Sequence, residues 1–112
     1  MDHHFEVLRK IYPLNENRLF SYDEALELIP LLMHISSKTK REINALNSQL
    51  SFTKNNTEKA EEIQNKMNLS LQNWSEKVRR LGALPISLCK VRILGKEANY
   101  TWEYPEKNLV IQ

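Results

Sequence analysis

The side chains best suited to hold a metal ion in this chain are His3, His4, His34, Cys89, Glu97 and Glu103. Imidazole nitrogen, thiolate and carboxylate are the usual ligands, but a site needs them at set intervals, such as two histidines one helical turn apart. No pair here has that spacing. His3 and His4 read as part of a terminal tail, and His34 falls one residue off the inner apolar stripe of its helix. A small metal-binding protein is therefore the last of three readings, with no ligand set to assign. Nucleophilic catalysis has less to work with. Cys89 shares an apolar strand face with Val91 and Ile93, where a thiol is expected to be buried and inert. Gly82 and Gly95 are the only glycines, so there is no glycine-rich phosphate loop. The carboxylates gather at helix starts, where capping and the helix dipole account for them. No catalytic residue and no cofactor is expected, and the chain reads as non-enzymatic.

Binding of single-stranded nucleic acid is the second reading. Lys38, Lys40 and Arg41, then Lys77, Arg79 and Arg80, then Lys90 and Arg92 supply positive charge. Tyr100, Trp102 and Tyr104 form an aromatic row on which bases could stack. Weighing against it, a net charge of +2 is small for the electrostatic footprint of a polyanion. The second basic run complements its own helix dipole, and the first reads as a solvated face. The aromatic row also has an apolar helix stripe of this chain to cover.

The totals set outer limits. A chain of 112 residues reads as one domain. Apolar residues are 41% and charged residues 27%, which is ordinary for a water-exposed globular chain. A single cysteine excludes an internal disulfide. The opening residues "MDHHFEVLRK" lack the basic start and apolar stretch of a signal peptide, and no apolar run approaches the length of a membrane span. A cytoplasmic protein without a membrane partner is the expectation.

The elements that must position these residues are mainly helical. Ser21 and Glu24 have the spacing of a capping box. Behind them Ala25, Leu28, Leu32, Ile35, Thr39, Ile43, Leu46 and Leu50 recur at steps of three and four, which predicts a helix over 21–50. Ala60, Ile63, Met67, Leu71, Trp74, Val78 and Leu81 predict a second over 56–82, ended by Gly82 with Pro85 beyond. The two stripes mirror each other about Thr53: Ala25 with Leu81, Leu28 with Val78, Leu32 with Trp74, Ile35 with Leu71, Thr39 with Met67. That symmetry is what an antiparallel helical hairpin with a short loop requires. Its outer half, from Lys38 to Leu50, has one narrow stripe and predicts a coiled-coil-like stalk. The inner half has a second stripe, Leu26, Ile29 and Met33, with Leu31 close by. Pro30 lies in this half, where a proline costs about 3 kcal/mol in a straight helix and favours a bend between stalk and head.

After Gly82 the period changes from helical to alternating. "SLCKVRIL" and "NYTWEY" flank "GKEA" and predict a β-hairpin over 87–104 with its turn at Gly95 to Ala98. Residues 105–112 read as a short extended tail. Residues 1–20 read as an N-terminal arm, with Phe5, Leu8, Ile11 and Tyr12 apolar. The fold class expected is α+β, mainly α: a long antiparallel helical hairpin with a small head holding a C-terminal β-hairpin.

The stretch "FSYDEALELIPLL" resembles the opening signature of a family of small bacterial proteins known as domain of unknown function twenty-two-zero-three. The resemblance rests on Phe20, Ser21, Glu24, Ala25, Ile29, Pro30, Leu31 and Leu32, and on Leu81-Gly82 at the far end of the hairpin. It covers residues 20–82 and implies a long helical hairpin ending in Leu-Gly. The C-terminal third departs from the family's pattern. Lys90 follows Leu88-Cys89 where the family has tryptophan, Lys96 separates Gly95 from Glu97, Glu103 stands after Trp102 where the family has histidine, and the Asp-Phe-Pro element is missing. The family lends architecture and no activity.

The leading reading is a protein–protein interaction or self-association module. Apolar surface exceeds what two helices and a hairpin can cover, and such surplus usually meets a partner or a second copy. The interaction surface expected is Leu26, Ile29, Met33, Leu69, Tyr100, Trp102 and Tyr104, with Ser21, Glu24, Pro30 and Gly82 in structural roles. A homodimer joined through the head or along the inner helices is expected, with the hairpin edge offered to a protein partner.

Overall fold

The computed structural model describes residues 19–53 and 55–112. The arm expected over 1–20, with Phe5, Leu8, Ile11 and Tyr12, lies outside the described residues except for Leu19 and Phe20, as do His3 and His4. Helix α1 runs from Tyr22–Leu50 and helix α2 from Thr57–Arg80. Four short strands follow: β1 at Leu84–Ser87, β2 at Lys90–Ile93, β3 at Tyr100–Glu103 and β4 at Val110–Ile111. The helices form the expected hairpin, and the molecule measures 52 × 34 × 19 Å.

Local chemistry fixes the helix ends. Ser21 Oγ accepts from the Glu24 amide at 3.2 Å, and the Ser21 amide donates to Glu24 Oε1 at 2.8 Å, completing the capping box. Such a cap is worth about 1 kcal/mol. Asn56 opens α2 in the same way, its Oδ1 accepting from the Lys59 amide at 3.0 Å. Gly82 closes it at φ 95°, a left-handed conformation that only glycine adopts freely. Its amide donates to the Arg79 carbonyl at 3.0 Å and the Ala83 amide to the Val78 carbonyl at 3.2 Å. These two bonds form a Schellman motif, with Val78 and Ala83 buried side by side in the core cluster beneath it. Pro30 is exposed, and α1 continues through it without a break.

The inter-helix seam departs from the mirror at two steps. Where the apolar pattern places Ile35 and Leu71, the structure buries Ser36 completely and turns Leu71 to water. The cause is Trp74. A buried indole needs a partner for its N–H, and Trp74 Nε1 donates to Ser36 Oγ at 3.0 Å inside the core. The seam then runs through Ser70, whose Oγ donates to Glu42 Oε1 at 2.9 Å. Two serines stand where two aliphatic residues were expected, and each makes a bond across the helices.

The β-hairpin expected over 87–104 is the middle of a larger sheet. All neighbouring strands are antiparallel, in the order β1-β2-β3-β4. The β2–β3 register sets Val91 opposite Trp102 and Ile93 opposite Tyr100. Strand β1 escapes sequence reading because it is four residues long and holds Pro85, which removes a ladder donor and is tolerated at a sheet edge. The expected tail pairs as β4, through Tyr100 opposite Ile111 and Thr101 opposite Val110. Cys89 lies in the two-residue turn between β1 and β2, at φ 61°, rather than in a strand. Residues Leu94 to Asn99 join β2 to β3, two longer than the expected turn. Gly95 is obligatory there, since a Cβ would lie 2.0 Å from the Ala98 carbonyl oxygen.

The sheet covers the inner stripe of α1. Ile29 is buried, and Leu26 and Met33 pack partly buried against the cluster that holds Val91, Ile93, Tyr100 and Trp102. The chain entering α1 is stitched to the sheet: the Phe20 amide donates to the Leu94 carbonyl at 2.9 Å, and the Lys96 amide to the Phe20 carbonyl at 3.0 Å. Replacing Ser36 by alanine strands the Trp74 N–H in the core. Urea unfolding of Ser36→Ala is expected to show a loss of about 1–3 kcal/mol, the cost of one unmet buried donor. An unchanged midpoint would show that another group takes the indole proton.

Candidate functional site

The expected interaction surface divides on the structure. Ile29, Tyr100 and Trp102 belong to the chain's own core. The physical reason is geometric: alternation aims Tyr100 and Trp102 at the helices, and the sheet side of α1 offers them Ile29. Trp102 also spends its N–H inside the chain, donating to the Glu106 carbonyl at 2.6 Å. Tyr22 meets Tyr100 edge-on at 5.6 Å. Leu26, Met33 and Tyr104 are half-buried against the same core. An aromatic row open to bases is therefore not present on β3. Of the seven residues, only Leu69 is well exposed, at 57%.

The metal and nucleophile candidates are dispersed. Among the described residues no group of three His, Cys, Asp or Glu side chains converges as a metal site would require. His34 is exposed on α1, and Glu97 is exposed in the β2–β3 connection. Cys89 is buried, with its Sγ donating to the Ser36 carbonyl at 3.5 Å. Burial raises the thiol's pKa, and the Ser36 side-chain hydroxyl and the charge of Lys40 offset this only in part. A thiol held protonated is a poor nucleophile.

A different surface is the most site-like feature. Seen down its axis, α1 turns Ile29, Met33 and Ser36 to the sheet. Leu31, Ile35, Glu42, Ala45 and Gln49 recur at helical spacing on the opposite side. Two grooves lie along this back face of the hairpin. One, of about 420 Å³, sits on the stalk between Glu42, Ala45 and Leu46 of α1 and Lys66, Leu69 and Asn73 of α2. The other, of about 240 Å³, sits nearer the head between Leu31 and Ile35 of α1 and Lys77, Arg80 and Leu81. Leu31 is 51% exposed at the second groove, as Leu69 is at the first. The spacing of Leu31, Ile35, Ala45 and Gln49 carried a signal for this face. Assigning Ile35 to the inter-helix seam concealed it.

The outer side of the sheet carries a polar cup lined by Lys90, Thr101, Glu103, Glu106, Asn108, Val110 and Gln112. Lys90 and Glu103 face each other in register across β2 and β3. The Thr101 hydroxyl beneath them is buried without a hydrogen-bond partner. A buried hydroxyl without a partner is a cost to the fold. Comparison of the chain with protein-family models, with curated proteins and with solved structures finds no match in any of the three.

Two outcomes are expected of these groups. Thr101→Val keeps the shape and removes the orphan hydroxyl, so it should raise stability by up to about 1 kcal/mol in urea unfolding. A loss would mean the hydroxyl has a partner in solution. Cys89 should resist a thiol reagent in the native protein at mildly alkaline pH and react fully once urea unfolds the chain. The sign follows from the raised folded pKa. The neutral thiol's contribution to stability is complete below the unfolded thiol's ordinary value and is lost as pH rises through the folded one. Rapid native labelling would contradict the burial.

Proposed function

We propose that the protein is a non-enzymatic self-association module acting in the cytoplasm, with the back face of its helical hairpin as the contact surface. The observation that carries this reading is the face itself. A four-stranded sheet covers one side of the hairpin, while the opposite side keeps Leu31 and Leu69 more than half exposed above two apolar grooves. Leaving large aliphatic side chains in water forfeits about 1.5–3 kcal/mol each relative to burial, so two such grooves on one face favour association. The half-buried Ile35, Leu46 and Leu81 line the same grooves.

The rest of the surface is consistent with this reading. Among the described residues no helix is long and apolar enough to cross a membrane. Among the described residues the basic side chains are spread between stalk, α2 terminus and sheet rather than gathered in one tract. The edges of the sheet are short, with β4 only two residues long, which limits strand addition as the main mode of contact.

Light scattering across a wide concentration range tests the proposal. The wild-type chain is expected to rise from monomer to dimer mass. Leu69→Glu places a charge in the stalk groove without touching the core, and it should keep the helical circular dichroism while remaining monomeric. A wild-type chain that stays monomeric at the highest concentration would refute self-association.

A further inference from the structure

The back face also carries information about how two copies meet. Its two walls bear opposite charges at the stalk groove: Glu42 on α1 and Lys66 on α2. These residues lie within about a turn of the same height, because Ser70 bonds Glu42 across the seam and Lys66 is one turn beyond Ser70 on α2. Glu42 accepts the Ser70 hydroxyl but has no basic partner within ion-pair distance among the described residues. Lys66 approaches Glu62 only at 3.9 Å and both are exposed, a pairing worth little in water.

Two packings bury this face against a second copy. A two-fold axis parallel to the stalk lays α1 of each copy on α2 of the other. Glu42 then faces Lys66 of the second copy, twice over by symmetry. A two-fold axis across the stalk at this groove lays α1 on α1 and α2 on α2, bringing Glu42 to Glu42 and Lys66 to Lys66. Like charges in contact at an interface are a strong selector against a packing. Either arrangement keeps both sheets outside and makes a bundle of four helices with antiparallel neighbours, so the charges select the first.

Resting on the self-association reading, we infer that the protein dimerises by stacking two hairpins back to back with both heads at the same end, α1 on α2 of the other copy, through Glu42–Lys66 pairs and the Leu31 and Leu69 grooves. The occupant of both grooves is thus a second copy of this chain. The stalk tips, marked by Phe52, come together at the other end.

The test uses the full chain and two readouts. Glu42→Lys and Lys66→Glu, each alone, should weaken the dimer about tenfold by concentration-dependent light scattering, because each converts two attractive contacts to repulsive ones. The combined Glu42→Lys/Lys66→Glu variant should recover wild-type affinity. Circular dichroism of all three guards against misfolding. Independently, Phe52→Cys in a Cys89→Ala background carries a spin label at the tip, and the distance between labels in the dimer should be short against the 52 Å length of the molecule. A dimer whose tips lie a molecular length apart, or whose charge swap fails to restore affinity, overturns this packing and leaves self-association standing. A monomer under all conditions, with residues 1–18 or another protein on the back face, overturns both.

Discussion

Ser36 holds three elements at one point. Its hydroxyl accepts the Trp74 indole proton from α2, and its backbone carbonyl receives the Cys89 thiol from the β1–β2 turn. A serine in mid-helix is ordinarily a neutral or slightly unfavourable choice. Here it occupies a fully buried position at the waist where stalk, second helix and sheet converge. An aliphatic side chain at this point would pack, but it would leave a large aromatic donor unmet in a low-dielectric interior, where such groups are most costly.

The consequences spread outward from the waist. Choosing Ser36 over Ile35 rotates the seam, and the rotation moves Ile35 toward the side away from the sheet. On α2 the half-buried Ser70 bonds Glu42 across the helices, and Leu71 is exposed. The hairpin therefore has one flank closed by Val91, Ile93, Tyr100 and Trp102, and one flank that no other described element covers. A four-stranded sheet with strands of two to four residues is too small to wrap both flanks.

Most of the architecture was legible because it rests on periodicity and on caps. The capping box at Ser21, the glycine stop at Gly82 and the mirrored stripes are local or near-local signals, and they define the two helices to within a residue or two. The seam was misread by one residue at two places because a pattern of apolar side chains ranks any serine below its aliphatic neighbour. Only the demand of Trp74 for an acceptor reverses that order, and it acts across the hairpin. Strand β1 was missed because Pro85 reads as a stop, and β4 because two residues carry no period. The aromatic residues of β3 were legible as one face, but Tyr100 and Trp102 are closed by the core. Of the apolar residues expected to be surplus, the sheet consumed Ile29 and Trp102, while Leu31 and Leu69 stay exposed behind the hairpin.

The order of the elements has a kinetic meaning. Each is followed along the chain by the one it packs or pairs with: helix with helix, then four strands in simple sequence. Contacts between distant parts are those that join α1 to the sheet: the core packing of Ile29 and Leu32, the Phe20–Gly95 bridge and the meeting of Ser36 with Cys89. Loop-closure entropy is therefore small for most of the structure, and such topologies fold fast for their size. The helical hairpin and the strand meander can each gather from neighbouring residues, and the waist and the Phe20 stitch then lock them together. The joints that give the native state its single shape are the ones that form across the greatest stretch of chain.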